Sequence, residues 1–271
     1  PEGPVAMAFH VGIDVGGTFT DFALFDDATG QIRLGKVLTT PDDPSRAVLA
    51  GLDTLLAEAG ITARKLARAI HATTIATNTV IQRHGPKTAL LTTAGFRDVL
   101  LIGRQKRWDL YDNELDKPVP IVPRRLIWEA PERTLHDGSI HRALDERAVR
   151  RVARQMKAEG VASVAICFLH AYANPLHERR AGELIAEEAP DIAISLSSEV
   201  SPVYREYERS NTTALNAYVM PAVSAYIRRL EQGLKRNDFK GRLLVMQSNG
   251  GVATPEVVER FPIREIGRAH V

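Results

Sequence analysis

The sequence contains very little cysteine: Cys167 is the only one among 271 residues. A disulfide within the chain is therefore excluded, and a reducing cytoplasm is the expected location. Cys167 lies inside an apolar run at residues 164–169. That position favours a buried strand cysteine over a nucleophile.

Long apolar stretches and basic clusters are missing as well. No apolar run approaches the ~20 residues of a membrane-spanning helix, so no membrane partner is expected. The net charge is only +2, and no basic run carries interleaved aromatic residues. Nucleic acid is therefore not an expected partner. The remaining composition, 44% hydrophobic and 25% charged residues, is typical of a globular protein with one large or two ordinary domains.

The most informative stretch is a glycine-rich turn near the start of the chain. Apolar residues 11–15 lead into Gly16 and Gly17, and a second alternating run leaves at residues 19–25. This pattern predicts a β-hairpin whose glycines adopt positive φ at the bend. Two carboxylates and two hydroxyls crowd the same turn: Asp14, Asp21, Thr18 and Thr20.

These residue types indicate a phosphate-binding turn. Unshielded backbone N–H groups bind phosphate oxygens, and carboxylates hold a divalent cation through water. The candidate phosphate-binding residues are Gly16, Gly17, Thr18 and Thr20. The candidate catalytic residues, which would also hold Mg²⁺ through water, are Asp14 and Asp21. A plain hairpin with solvated polar residues is the alternative interpretation.

Further candidates lie on the substrate side of the predicted site. A strand that runs into a helix N-terminus is predicted at residues 69–78, and α/β proteins place ligands at such junctions. The candidates there are His71, Thr74 and Asn78. Helix-capping hydroxyls and an Asn that holds a turn would explain the same pattern. Arg97 and Arg104 are candidates for contacts to carboxylate or phosphate, with a solvated basic loop as the alternative.

Hydrophobic periodicity predicts an alternation of strands and helices along the rest of the chain. Strands are predicted at residues 31–39, 87–93, 161–169, 192–196 and 242–247, and a hairpin around residues 136–139. Helices are predicted from residue 47 to Gly60, from Asp145 to Gly160, over 176–189 and over 204–234, the last kinked or broken by Pro221. Residues 111–131 are proline-rich and predict a crossing loop.

Several segments together resemble one protein family. Residues 12–21, Gly-Ile-Asp-Val-Gly-Gly-Thr-Phe-Thr-Asp, resemble the first phosphate loop of the hydantoinase A/5-oxoprolinase family, which belongs to the actin-like ATPase superfamily. Segments at residues 71–78, 95–105, 195–200, 205–209 and 246–251 resemble the same family. The resemblance thus covers nearly the whole chain, from residue 9 to residue 264.

The resemblance implies an α/β fold of the actin-like ATPase (ribonuclease H-like) class. A mixed sheet flanked by helices is expected, with the first lobe and the start of a second. The implied domains are an N-terminal domain at residues 9–200 and the start of the ATPase domain at residues 201–264. A second phosphate loop, of Ser-Gly-Pro-Ala-Gly type, is expected next and is missing. Residues 266–271 match one reading frame of a common sequencing adapter, so residues 265–271 are expected to be the non-native tail of a truncated chain.

The resemblance also implies an activity. The implied reaction is ATP-dependent ring opening of a cyclic amide, such as a hydantoin or 5-oxoproline, through a phosphorylated carbonyl, with ATP and Mg²⁺. The implied partners are that substrate and a hydantoinase B-like subunit or domain, in an oligomer when intact. The alternatives are the ATPase subunit of a ketone carboxylase, a small-molecule kinase and a non-catalytic nucleotide-binding module. This chain alone is expected to be inactive.

Overall fold

The computed structural model of the protein describes residues 9–105, 111 and 119–266. Its strands are β1 (Phe9–Val15), β2 (Phe19–Asp26), β3 (Ile32–Leu38), β4 (Leu66–Thr73), β5 (Thr88–Thr93), β6 (Ile127–Ala130), β7 (Arg133–Thr134), β8 (Ile140–Arg142), β9 (Ser163–Cys167), β10 (Ala193–Leu196), β11 (Arg242–Met246) and β12 (Val252–Ala253). Its α-helices are α1 (Pro44–Ala59), α2 (Ile75–Ile81), α3 (Val99–Ile102), α4 (Glu146–Ala158), α5 (Leu176–Glu188), α6 (Ser197–Val200), α7 (Glu206–Arg236) and α8 (Pro255–Arg260).

The chain divides into two compact units. The first comprises residues up to Ile81 together with those from Ala222 onward, and the second is Gln82–Pro221. The division falls inside α7. In the ranges 9–105 and 119–266, the structure has no helix with the length and apolarity needed to cross a membrane.

The first unit is built on a mixed six-stranded sheet with the order β12-β11-β4-β1-β2-β3. The predicted hairpin is confirmed, since β1 pairs antiparallel with β2. The predicted third strand is also confirmed as β3, paired antiparallel with β2. Alternate side chains of β1 are buried on one face of the sheet, where α1 packs: Val11, Ile13 and Val15.

Local signals explain where α1 begins and ends. The Asp43 side chain accepts a hydrogen bond from Ser45 N at 3.2 Å, and Pro44 occupies the first turn, where its missing N–H costs nothing. Gly60 follows the helix with φ +67° in the left-handed region. The predicted helix and its glycine stop are therefore confirmed.

The long helix α7 departs from one expectation. Pro221 lies inside it without breaking it, although a proline removes one backbone hydrogen bond. Val219 and Val223, on either side of the proline, have no exposed surface. Burial of such residues stabilises a helix by more than its intrinsic propensity, so tertiary packing keeps the segment helical.

The second unit contains a four-stranded parallel sheet with the order β10-β9-β5-β6. The predicted strand-helix-strand unit is confirmed as β9, α5 and β10, and Cys167 is buried at the end of β9. Asp145 caps α4 as predicted, with its carboxylate accepting from Ala148 N at 2.9 Å. The predicted hairpin is confirmed as β7 and β8.

The prediction of a crossing loop over residues 111–131 is partly wrong. Residues 127–130 form β6, which pairs in parallel with β5. A strand of four residues is too short to show a hydrophobic alternation among the surrounding prolines. This strand is therefore identified only by its pairing with β5. Residues 112–118 of the expected loop lie outside the described residues.

The predicted non-native tail remains a prediction. Its first residue, Glu265, ends a short 3-10 helix (Pro262–Glu265) and is buried. Neither Glu265 carboxylate oxygen finds a hydrogen-bond partner in the part of the chain that the structure describes, and burial raises the pKa of this carboxyl to about 7. Residues 267–271 lie outside the described residues.

Candidate functional site

Three parallel strands of the first unit end at the same edge of its sheet. β4 pairs in parallel with β1 on one side and with β11 on the other, so their carboxyl ends point the same way. The segments that leave this edge are residues 16–18, 74–78 and 247–251. Ligands of open α/β sheets bind outside the carboxyl ends of the strands. The predicted phosphate turn therefore lies where such a sheet presents its site.

The turn between β1 and β2 is closed by two backbone hydrogen bonds. Gly16 N donates to Phe19 O at 2.9 Å, and Thr39 N donates to Thr18 O at 2.9 Å. Neither Gly16 nor Gly17 has a positive φ, so the expectation that they supply left-handed backbone is wrong. A Cβ at Gly16 would lie 3.2 Å from Phe19 O, whereas a Cβ at Gly17 would meet open space. Gly16 serves close packing, and Gly17 leaves the outer side of the turn clear.

The predicted phosphate-binding residues divide into two groups. Gly17 and Thr18 are exposed, and their backbone N–H groups donate to no acceptor within the described ranges of the chain. Thr20 is fully buried, so its hydroxyl is not presented on the outer side of the turn, and its assignment as a phosphate-binding residue stays a prediction. Its hydroxyl lies 3.0 Å from the Thr39 hydroxyl, which donates to Gly16 O at 3.0 Å. Thr20 thus supports the turn from the buried face of the sheet.

The two candidate metal carboxylates are direct neighbours. Asp14 on β1 and Asp21 on β2 are opposite each other in the strand register, and both are exposed. Lys36 on β3 is opposite Asp21, and its Nζ donates to Asp21 Oδ1 at 2.8 Å. The same ammonium lies 4.7 Å above the centre of the Phe19 ring. Asp14 has neither an ion pair nor a hydrogen-bonded partner among the residues described.

Asp14 and Asp21 belong to the outer face of the sheet, opposite the buried face. A cavity of about 650 Å³ opens on this outer face and includes both carboxylates. The next row across the strands consists of Gly12, Ala23 and Leu34, which are in register on β1, β2 and β3. The cavity therefore has an apolar floor with an acidic pair at the end nearest the turn.

The donor set fits a hydrated Mg²⁺ ion. Within residues 9–105 and 119–266, no cluster of three or more His, Cys, Asp or Glu side chains could enclose a metal. Mg²⁺ keeps several waters and binds through one or two carboxylates plus phosphate oxygens, rather than in an all-protein cage. Asp14 and Asp21 beside two unused N–H groups supply that combination.

Two substrate-side candidates lie beside the end of β1. Thr74 N donates to Val15 O at 3.4 Å, and Asn78 Nδ2 donates to Thr74 Oγ1 at 3.1 Å. Both side chains are partly exposed. The hydrogen bond that caps the turn of α2 comes from Thr73, whose hydroxyl accepts from Ile75 N at 3.2 Å. Thr74 and Asn78 are thus held near the phosphate turn and stay candidates.

His71 is placed differently. It lies in β4 between Ile13 of β1 and Val245 of β11 and has no exposed surface. Its Nε2 lies 2.9 Å from the Tyr226 hydroxyl, and burial lowers its pKa to about 4. The side chain therefore belongs to the core behind the sheet, and the assignment of His71 as a substrate contact stays a prediction.

Arg97 and Arg104 lie in the second unit. Arg97 Nη2 donates to Arg124 O at 3.2 Å, and Arg104 Nε donates to Glu208 Oε1 at 2.7 Å. Each guanidinium thus has a protein acceptor. Their assignment as substrate contacts stays a prediction.

Sequence reasoning missed Lys36 and Gly12. Alternation along β3 places Lys36 on the same face as Leu34, but only the pairing of β3 with β2 brings its ammonium to Asp21. Gly12 lies inside β1. A glycine within a strand weakens that strand and often marks a place where another group approaches the backbone closely. A Cβ there would meet only Ala23 O, at 3.9 Å, so no crowding among described residues requires a glycine.

Sequence comparisons give a consistent set of relatives. The family profile described as Hydantoinase/oxoprolinase N-terminal region matches residues 10–189, and the one described as Hydantoinase/oxoprolinase matches residues 209–267. Caprolactamase subunit alpha of Pseudomonas jessenii is 36% identical over 258 residues, which cover 93% of this chain and 37% of the relative. 5-oxoprolinase of Saccharomyces cerevisiae is 32% identical over 290 residues, covering 90% of this chain and 22% of the relative. The chain thus spans less than half the length of these curated relatives.

Solved structures of two relatives have the same fold. The crystal structure of ATP-dependent caprolactamase from Pseudomonas jessenii matches with a TM-score of 0.84 and 33% identity, over 94% of this chain and 38% of that one. The nucleotide-free structure of acetone carboxylase matches with a TM-score of 0.84 and 28% identity, over the same shares. The predicted α/β fold, with a mixed sheet flanked by helices, is confirmed.

Proposed function

The chain belongs to the hydantoinase/oxoprolinase family, and we propose that it supplies the first phosphate-binding element of an ATP-dependent enzyme that opens a cyclic amide, such as a hydantoin or 5-oxoproline. One observation carries this proposal. An acidic pair, Asp14 and Asp21, adjoins an exposed turn whose Gly17 and Thr18 N–H groups are unused among the described residues. The turn lies at the carboxyl edge of three parallel strands, where nucleotide phosphates bind in related architectures.

The chemistry explains why ATP would be needed. An amide carbonyl is a poor electrophile, and its nitrogen is a poor leaving group. Transfer of the γ-phosphoryl group to the carbonyl oxygen releases ADP and activates the carbon. Water then adds to that carbon, the ring C–N bond breaks with protonation of nitrogen, and inorganic phosphate leaves. Such a sequence needs a phosphate cradle and electrostatic stabilisation of the moving phosphoryl group.

Individual residues have distinct roles in this proposal. The N–H groups of Gly17 and Thr18 would bind phosphate oxygens, while Asp14 and Asp21 would hold Mg²⁺ through water. When bound, Mg²⁺ neutralises phosphate charge. Lys36 balances the charge of Asp21 through its 2.8 Å ion pair. Thr74 and Asn78 line the neighbouring segment, where they can orient the bound group.

A ketone carboxylase is the second candidate, favoured by the similarity to acetone carboxylase. Its use of ATP would call for the same phosphate cradle, so the turn does not discriminate between the two reactions. The products discriminate between them. A lactamase yields ADP and an amino acid, whereas a carboxylase yields a carboxylated ketone only in the presence of bicarbonate. A small-molecule kinase would yield a stable phosphorylated product.

Partner subunits are part of the proposal. One relative is named as subunit alpha of caprolactamase, which supports a multi-subunit enzyme. We propose a hydantoinase B-like subunit or domain as the partner and an oligomer as the working form. Co-purification of this chain, within its longer protein, with the product of an adjacent reading frame would test this.

The experiment that tests the nucleotide role is an amide NMR titration of this chain with MgATP. The signals of Gly17 and Thr18 should shift with Mg²⁺ present, and Asp14→Asn should remove the Mg²⁺ dependence. Asp191→Asn is a matched control, since Asp191 is an exposed turn carboxylate of the other unit. If saturating MgATP leaves the amide chemical shifts of Gly17 and Thr18 unchanged, the proposed phosphate cradle is refuted.

A further inference from the structure

The parallel sheet of the second unit has a topological switch point. From β5 the chain adds β6 on one side, then returns to add β9 on the other side and β10 beyond it. The connections after β5 and β9 therefore lead away in opposite directions, which is the arrangement at which ligand crevices form at the carboxyl edge of parallel sheets. We call the region between these two loops the crevice. Their starting points are close together, since Leu169 N donates to Thr93 Oγ1 at 3.0 Å.

A buried arginine lies beneath this crevice without a counter-ion. Arg209, from α7, is 1% exposed. Its guanidinium donates to Phe168 O at 2.6 Å, to Val203 O at 3.3 Å and to Cys167 Sγ at 3.4 Å, and it lies 5.4 Å from the Tyr172 ring centre. In the described part of the chain, no carboxylate bonds to it. Buried charges are normally paired, because an uncompensated one costs several kcal/mol.

Two further basic side chains adjoin the same crevice. The Arg133 guanidinium lies 5.2 Å from the centre of the Phe96 ring, and none of the carboxylates in the described ranges pairs with it. His170 follows β9 with φ +55°, a left-handed conformation that is uncommon for a residue other than glycine. Its Nδ1 lies 3.2 Å from the Tyr172 hydroxyl. The side chains of Phe96, Arg133, His170 and Tyr172 are partly exposed, whereas that of Arg209 is buried.

The electrostatic environment of His170 is positive. Burial makes the largest contribution to the lowered pKa of His170, and the charges of Arg209, Arg133 and His136 lower that pKa further. Glu206, exposed at the start of α7, acts in the opposite direction. The burial contribution says nothing about charge, but the three cationic contributions to the lowered pKa indicate a local field that favours a negative charge nearby.

The buried carboxylates of this edge are already committed. Glu132 accepts from the Thr93 hydroxyl and lies 2.8 Å from His177 Nδ1. Glu178 accepts from Phe168 N at 2.9 Å, from Ser198 N at 2.8 Å and from Ser197 Oγ at 2.5 Å. Neither carboxylate bonds to Arg133 or Arg209. The partly exposed Glu129 also lies at this edge, where it accepts from Gly95 N at 2.6 Å, and within the described residues it bonds to neither arginine.

We propose that the crevice between the loops after β5 and β9 binds a small carboxylate, held by Arg133 and His170 above Arg209. The half-buried rings of Phe96 and Tyr172 flank the position and suit a planar group. A carboxylate accepts bidentate hydrogen bonds from a guanidinium, and burial near Arg209 strengthens the attraction. The residues of this site all belong to the second unit, and the proposal does not depend on the proposed ATP chemistry.

The test follows the histidine signals of the whole 271-residue chain by NMR during pH titration. Acetate at 50 mM should raise the pKa of His170 by about half a unit or more relative to chloride of equal ionic strength, because a bound anion stabilises imidazolium. The ring signals of the exposed His141 serve as the control and should not respond to acetate. Arg133→Gln should abolish the acetate effect, and Arg133→Lys should retain part of it.

Three results would overturn the proposal. The first is a His170 pKa that responds equally to acetate and chloride. The second is an unchanged acetate effect in Arg133→Gln, provided that its amide spectrum is that of the folded protein. The third is a response to inorganic phosphate with none to acetate, which would assign the crevice to a tetrahedral anion. Asp14→Asn should leave the acetate effect intact, so failure of the phosphate turn and failure of this site are distinguishable.

Discussion

Asp14 and Asp21 lie directly opposite each other on neighbouring antiparallel strands, and Lys36 extends the same row onto β3. Like charges in directly opposed positions destabilise a sheet, so this arrangement works against folding. The ion pair between Lys36 and Asp21 offsets only one of the two charges. A pair that costs stability and adjoins N–H groups unused among the described residues supports the proposal of a ligand site.

The first prediction concerns Asp14→Asn. Removing one of two opposed charges should leave the free energy of unfolding within about 0.5 kcal/mol of the wild-type value, or raise it slightly. In the longer protein, ATP turnover should fall by about a hundredfold or more, because a charge that orients Mg²⁺ is lost. Urea unfolding and an ADP-release assay measure the two effects, with Asp191→Asn as control. Turnover near the wild-type rate would contradict the metal role.

The second prediction contrasts the two glycines of the turn. Gly17→Val should leave the chain folded, because its Cβ meets open space and its φ is not positive. It should weaken nucleotide binding, because the side chain covers the face that phosphate approaches. Gly16→Ala should instead destabilise the fold by about 1 kcal/mol, since its Cβ would press on Phe19 O at 3.2 Å. Calorimetry and thermal unfolding of both variants separate the effects; equal nucleotide affinity in Gly17→Val and wild type would exclude the cradle.

The third prediction is a pH dependence of stability caused by His71. Its pKa is about 4 in the folded protein, against 6.5 for an unperturbed histidine. Above pH 7 both states are neutral and nothing changes. As pH falls from 6.5 towards 4, His71 is protonated in the unfolded state but remains neutral in the folded state. The free energy of unfolding therefore falls by up to about 3 kcal/mol. Urea unfolding at several pH values should show a smaller loss over this window in His71→Gln. If the free energy of unfolding depends equally on pH in both proteins, the effect is caused by a group other than His71.

The fourth prediction concerns association of the chain. One edge of β11 is partly covered, because β12 pairs with its last two residues. The larger exposure is instead on the outer side of β3, at Leu34 (77%), Leu38 (68%) and Ile32 (63%). Such a patch promotes association. Leu34→Lys should reduce self-association in sedimentation velocity, whereas Leu176→Lys, at an isolated exposed leucine on α5, should not. Equal association of both variants would exclude this face.

Local sequence signals determined much of this fold. The hairpin of β1 and β2, the capped helices α1 and α4, and the unit of β9, α5 and β10 were all predicted. Each depends on interactions between residues close in the chain: alternation, a capping carboxylate or a left-handed glycine. The position of the phosphate turn followed from the same kind of signal, because its glycines, hydroxyls and carboxylates are contiguous.

Only the tertiary structure decided which of these residues can meet a ligand. Thr18 and Thr20 are both hydroxyl residues of the same motif, yet Thr18 is exposed in the turn before β2, whereas Thr20 lies inside β2 and is buried against Thr39. His71 is polar and adjoins the site in sequence, but β1, β11 and α7 enclose it. The ion pair of Lys36 and the burial of Arg209 without a carboxylate partner among the described residues likewise depend on distant segments. The physical reason is that burial and pairing are set by contacts between strands and helices far apart in the chain, which no local pattern specifies.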